Sequence, residues 1–177
     1  PMSRVAQPPR PMPPHPMPPM PAAYRFQGGF EQTPVQLSGF TLDELAAACM
    51  QFTSAIDTRY VDDVTIGTQA VRNGPSYWDA QALCSIVVLN ATATTPNVPS
   101  VTGSIEGFPF SISGSRDVVE RTLRAHLPRL VQGQYIDDIS INGRAYRNGP
   151  SYWNAEQIIA LIVSQMPAGS YAYAEQA

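Results

Sequence analysis

The stretch YVDDVTIGTQAVRNGPSYW, residues 60–78, recurs as YIDDISINGRAYRNGPSYW, residues 135–153, at an offset of 75 residues. Looking outward, the same offset aligns Ser38-Gly39 with Ser113-Gly114, Pro34 with Pro109, Glu31 with Glu106 and Gly28 with Gly103. No gap is needed in this alignment, so the chain reads as a tandem duplication of one folding unit.

Each copy carries the same succession of local signals. Asn142-Gly143 is a strong type I′ hairpin turn, and Gly67-Thr68 suits type II′. These turns set Asp138 opposite Arg147 and Asp63 opposite Arg72. Upstream, a two-residue turn at Glu106-Gly107 pairs Ile105 with Phe108, Gly103 with Phe110 and Val101 with Ile112. The same register gathers Phe26, Phe30, Val35 and Leu37 on one face in the first copy, a consistency that supports it. Thr41 and Glu44 form a capping-box pattern ahead of Leu42, Leu45, Cys49, Phe52 and Ile56 at helical spacing. The matching stretch carries Val119, Leu123, Leu127 and Leu130, with Pro128 expected to kink or end that helix. After each RNGPSYW block, Ala80, Leu83, Cys84 and Val87, and likewise Ala155, Ile158, Ile159 and Ile162, recur at helical spacing.

The expected fold class is therefore α+β. Two tandem β-β-α-β-β-α repeats, antiparallel hairpins packed on helices, are related by pseudo-twofold symmetry and preceded by an extended Pro-rich N-terminal arm. The boundaries are residues 1–24 for the arm, 25–90 for repeat 1, 91–99 for a linker, 100–165 for repeat 2 and 166–177 for a tail. The arm holds most of the 18 prolines and most of the six methionines, so it favours polyproline II and has no core of its own.

Composition narrows the function classes. The net charge is −3, all the positive charge is arginine, and the arginines are scattered without a basic run, which argues against a nucleic-acid partner. No apolar run reaches the length of a membrane span, so no membrane insertion is expected. Without a signal-peptide pattern the reading is cytoplasmic synthesis, with a place in a virion as one destination. Cys49 and Cys84 fall on apolar helix faces and read as reduced, buried thiols.

The Tyr-x-Asp-Asp segments at residues 60–63 and 135–138 resemble the metal-binding box of reverse transcriptases. Four residues inside a doubled structural repeat are better explained by cross-strand ion pairs of Asp63 with Arg72 and Asp138 with Arg147. The RNGPSYW blocks, with Asn73, Gly74, Ser76 and Trp78 matched by Asn148, Gly149, Ser151 and Trp153, are the best candidate for a site. Amides at a helix start could receive an anion there. The structural reading is that proline opens the helix, serine caps it, Asp79 and Asn154 fit the same capping role, and the tryptophans are mostly buried. His15 and His126 are the only histidines, too few for a metal cluster or a base–nucleophile pair. No cofactor, no metal and no catalytic residue is expected, and the chain is not read as an enzyme.

Within the arm, Arg10, Pro13 and Pro16 fit the Arg-x-x-Pro-x-x-Pro pattern of SH3-domain ligands. Together with Met17 and Met20, and with Tyr171 and Tyr173 in the tail, they are the candidate partner-binding residues. The function these features suggest is a structural, self-assembling or assembly-binding protein, such as a virion coat, cement or tail component or a filament or shell subunit. Its arm would clamp neighbouring subunits of a homo-oligomer or other assembly. The alternative is an adaptor whose arm recruits an SH3-type domain.

Overall fold

A computed structural model describes residues 23–73, 76–95, 97–132 and 134–166. In the first unit, β1 (Tyr24–Phe30) and β2 (Thr33–Gly39) lead into α1 (Leu42–Ser54), then β3 (Asp63–Ile66), β4 (Gln69–Arg72) and α2 (Ala80–Val88). A two-residue strand, β5 (Thr92–Ala93), precedes the second unit: β6 (Ser100–Ile105), β7 (Phe108–Ser113), α3 (Arg116–Val131), β8 (Asp138–Ile141), β9 (Arg144–Arg147) and α4 (Ala155–Ser164). The α+β class and the tandem β-β-α-β-β-α order are as the sequence implies.

Both sheets are antiparallel with the same order, β2-β1-β3-β4 and β7-β6-β8-β9, while β5 pairs with the start of β1. Every hairpin pairing read from the sequence is present, including Ile105 with Phe108, Asp63 with Arg72 and Asp138 with Arg147. Turn chemistry explains this: Asn142 and Gly143 both have positive φ (51° and 85°), as a type I′ turn demands, and Gly67 has φ 61°. The inward faces then follow from the two-residue period of a strand, burying Phe26, Phe30, Val35 and Val64 in one unit and Val101, Ile105, Phe110, Ile112, Ile139 and Ile141 in the other. The helices cover these faces, and the buried residues of the two units form one continuous core.

Three helix details depart from expectation. Thr41 Oγ1 caps α1 by accepting from the Glu44 amide (3.0 Å), but the Glu44 carboxylate reaches back to the Phe40 amide. Of the two outcomes expected at Pro128, a kink or an end, the end does not occur: α3 runs on to Val131. The lost hydrogen bond falls on an exposed turn where water can satisfy the freed carbonyl. The caps of the first helices, Thr41 and Ser115, are 74 residues apart although the flanking glycines are 75 apart. The repeat therefore does contain a one-residue gap, and Leu45, Cys49 and Thr53 correspond to Val119, Leu123 and Leu127, all buried.

The cysteines also depart from the reduced-thiol reading. Cys49 on α1 and Cys84 on α2 form a disulfide, with Cα atoms 5.5 Å apart. Helix periodicity correctly placed each thiol on an apolar face. That the two faces oppose one another is a property of how α1 packs on α2.

The helix layer runs in a row, α1 on α2, α2 on α3 and α3 on α4. A twofold-related pair repeats every contact it makes, so α2 on α3 would recur as α4 on α1. In this row α1 and α4 instead lie at opposite ends, and the units are joined head to tail. At the junction Ser111 N donates to Leu89 O (2.7 Å), Asn90 Nδ2 to Pro109 O (3.2 Å) and the Tyr24 hydroxyl to Ser113 O (3.2 Å).

The junction holds a titratable group. His126 Nδ1 of α3 lies 3.1 Å from the Ser85 hydroxyl of α2, and Ser85 is buried. Burial pushes the imidazole below its ordinary value; Asp43 opposes this and Arg129 reinforces it. A depressed folded value means that the unfolded chain takes up the proton first. Stability is then full above about pH 6.5, the ordinary imidazole value, and falls as pH drops through the lower folded value. Melting temperatures measured from neutral to mildly acid pH should therefore decline in the native chain and decline less in His126→Gln. Equal slopes would show that His126 is not the group responsible.

Candidate functional site

Each RNGPSYW block is built by backbone that folds back on the Tyr-x-Asp-Asp segment. In the first unit Asn73 N donates to Asp62 O (3.1 Å) and Trp78 N to Val61 O (2.9 Å). The second unit repeats this with Asn148 N to Asp137 O (3.1 Å) and Trp153 N to Ile136 O (2.8 Å). Because Trp78 and Trp153 are tied into these bridges, the helices cannot begin at the proline. They start at Ala80 and Ala155, and the caps are Asp79 (accepting from Ala82 N) and Asn154 (accepting from Gln157 N), not Ser76 and Ser151. The amide of Ala82 is thus already occupied by a carboxylate.

The Asp-Asp pairs have a structural partner that the motif alone did not reveal. Glu31 Oε2 accepts from Asp62 N (2.8 Å) and Asp63 N (2.7 Å), and Glu106 Oε2 accepts from Asp137 N (2.8 Å) and Asp138 N (2.6 Å). Both glutamates sit at positive φ in their turns (54° and 49°), a conformation an L-residue adopts at some cost. The two charge-assisted bonds offset that cost. The signal was present in the alignment of Glu31 with Glu106. Glu106→Ala should lower stability by about 1–2 kcal/mol, with Glu106→Gln losing less because its amide oxygen still accepts. Urea denaturation of the three chains checks this, and indistinguishable midpoints would show the clamp to be idle.

On the outer side, Arg72 holds Asp63 through two bonds of 2.8 Å, and Arg147 holds Asp138 at 2.8 and 3.1 Å. The hydrogen bonds to Asp63 and Asp138, followed by the nearby carboxylate charges, push each guanidinium above its ordinary value. Asp62 and Asp137 approach the same arginines at 3.6 and 3.5 Å, and each has one buried oxygen without a hydrogen-bond partner among the described residues. Beside them stand paired tyrosines: Tyr60 with Tyr77, ring centroids 5.6 Å apart, and Tyr135 with Tyr152, 5.1 Å apart. All four rings are more than half exposed.

The first block also lines a groove of about 910 Å³ between the units. One wall comes from Val71, Arg72, Tyr77 and Trp78; the other comes from the tip of the β6–β7 hairpin, the last turns of α3 and Tyr135. Trp78 meets Phe108 edge-on at 6.2 Å, bridging the units. Both tryptophans are mostly buried and packed against the core, as expected. Each packs one face on the core while its loop, anchored to Val61 or Ile136, stays at the surface.

In the first unit Asn73 Nδ2 donates to Ser76 Oγ (3.4 Å), and Asn73, Ser76 and Trp78 line the groove. In the second, Asn148 and Trp153 are held by the carbonyls of Asp137 and Ile136, while Gly149 and Ser151 are exposed. Gly74 lies outside the described residues. So do the arm and tail candidates Arg10, Pro13, Pro16, Met17, Met20, Tyr171 and Tyr173. Among the described residues no group of three or more His, Cys, Asp or Glu is placed to hold a metal ion, and no helix is long and apolar enough to cross a membrane. The surface offers exposed aromatic faces and fixed Arg–carboxylate pairs. No protein-family model matches the chain, and no curated protein or solved structure matches it either.

Proposed function

We propose that this chain is a structural protein that self-assembles or docks into an assembly: a virion coat, cement or tail component, or a subunit of a cellular filament or shell. One observation carries the reading. The chain displays the same exposed surface twice, an aromatic pair beside an Arg–Asp clamp, on two units joined through one core. Tyrosine and arginine are the side chains that concentrate binding energy at interfaces, and duplicate surfaces on one body allow two subunits to be held at once. The hydrogen bonds of the Asp-Asp segments supply scaffold for that surface and not a reaction centre.

The proline- and methionine-rich arm acts as the clamp up to residue 22, since Ala23 and Tyr24 are tied into the first sheet. It reaches a neighbouring subunit through Arg10, Pro13, Pro16, Met17 and Met20, with Tyr171 and Tyr173 as further contacts. Polyproline loses little entropy on docking, and methionine adapts to irregular pockets. A chain beginning at Ala22 should keep the melting temperature of the full chain but lose its large species in size-exclusion chromatography with light scattering. Unchanged assembly would remove the clamp role. A full-length chain that stays monomeric at every concentration would overturn the assembly reading itself.

A further inference from the structure

We infer that a second copy of this chain docks head to tail, α4 of one molecule against α1 of the next, reproducing the junction that joins the two units inside the chain. The inference rests on the assembly reading and names the surface that assembly would use.

The internal junction shows which faces are complementary. Ser85 of α2 and Leu89 at its C-terminal cap are buried there, Ser85 against His126 of α3 and Leu89 through its carbonyl to Ser111 N. Their counterparts at the 75-residue offset, Ala160 and Ser164 of α4, are exposed and line a shallow depression beside Arg116, Glu120 and Arg124 of α3; the next residue, Leu161, is only half-buried. The counterpart of His126, at the 74-residue offset of the first helices, is Phe52 of α1. Phe52 is half-buried, one part of its ring meeting Phe30 edge-on at 6.1 Å, and Ala48 and Ile56 one turn to either side are half-buried too. The described residues thus leave one copy of each half of the junction at either end of the helix row, neither of them fully covered by those residues.

Two further features identify the occupant as the same chain. First, the outer helices lack charge where a solvated face would carry it. α1 has none after Asp43 and Glu44 in its first turn, and α4 has none after Glu156. α3, which has a helix on each side, carries Arg116, Asp117, Glu120, Arg121, Arg124 and Arg129. Secondly, the two halves differ from the internal pair in a matched way. Where the internal contact is the polar pair Ser85–His126, the free ends offer Ala160 and Phe52, a small apolar residue for a large one. Had only one half changed, a buried polar group would be left unpaired.

The sheet edges agree. Ser111 N on β7 donates across the internal junction to Leu89 O; the counterparts are Gln36 on β2, an edge strand, and Ser164 at the end of α4. One internal contact is not reproduced, since Thr33 stands where Phe108 meets Trp78. The contact between molecules is therefore weaker than the one within the chain. A heterologous contact of this kind propagates as an open row unless its rotation closes a ring.

The test uses two full-length variants at small helix-surface positions, where arginine is a good helix former: Ala160→Arg to block the α4 face and Ala48→Arg to block the α1 face. Circular dichroism and melting confirm that each remains folded. Light scattering of the native chain should show mass rising with concentration, and each variant alone should stay monomeric. An equimolar mixture should form a one-to-one dimer that grows no further, because each chain keeps the face the other has lost. Variants that assemble like the native chain would overturn this inference while leaving the assembly reading intact. A mixture that stays monomeric would overturn the head-to-tail geometry in favour of a symmetric contact. A native chain that never associates would sink both.

Discussion

Removing the Cys49–Cys84 bond, by reduction or by the double change Cys49→Ala and Cys84→Ala, should cost about 4 kcal/mol of stability. The bond closes a loop across a sequence separation of 35 residues, and the loss is the entropy regained by the unfolded chain when that loop opens. For a chain of this length, this corresponds to a fall in melting temperature of about 10 °C. Alanine is chosen because both sulfurs are buried, and serine would add an unpaired hydroxyl to the loss. The second unit is the internal comparison: Leu123 and Ile159 stand where the cysteines stand in the first, both buried and packed without a covalent link. Intact mass before and after reduction reports the pairing, and thermal melts of the same samples report its effect. A reduced chain that melts with the oxidised one would show that packing alone holds α1 on α2.

Gly103→Ala should destabilise the second unit by about 3 kcal/mol or more, and Gly28→Ala should do the same in the first. A methyl group at Gly103 would fall far inside van der Waals contact of Ser140 O on the neighbouring β8, and one at Gly28 would meet Thr65 O on β3 in the same way. These are carbonyls of a paired strand, so no rotamer change relieves the overlap. The rings of Phe110 and Phe26 close over the two glycines, with nearest ring atoms 3.0 and 3.1 Å from the added carbon. In the unfolded chain the same substitution would favour folding by only about 0.4–1 kcal/mol, so the clash decides the sign. Equilibrium urea denaturation of both variants checks this. An unchanged midpoint for Gly103→Ala would mean that β6 and β8 can separate without loss, contrary to the shared position of the two glycines in the repeat.

Local chemistry was legible because it acts over a few residues. The positive φ at Gly67, Asn142 and Gly143 follows from the turn residues themselves, and each turn then dictates which residues face each other, as Asp63–Arg72 and Asp138–Arg147 show. The duplication came from the match at a 75-residue offset, the antiparallel hairpins from their turn residues, and the buried stripes Leu42-Leu45-Cys49 and Val119-Leu123-Leu127 from helical periodicity. The helix starts were misplaced because serine and proline are good opening signals only when the chain is free to use them. Here the amides of Trp78 and Trp153 are claimed by carbonyls of Val61 and Ile136, an arrangement visible only once the loop folds back. The role of Glu31 and Glu106 was hidden for the same reason, since their partners lie 31 and 32 residues further along the chain.

The sequence by itself determined the repeated unit, its strand register and which faces turn inward, since each depends on side-chain period and turn geometry within a short window. Tertiary structure alone decided that Cys49 meets Cys84, that Ser85 meets His126 and that the units join in a row with α1 and α4 left at its ends. Those outcomes depend on how one helix lies against another, and the periodicity that marks an apolar face carries no information about which other face will cover it.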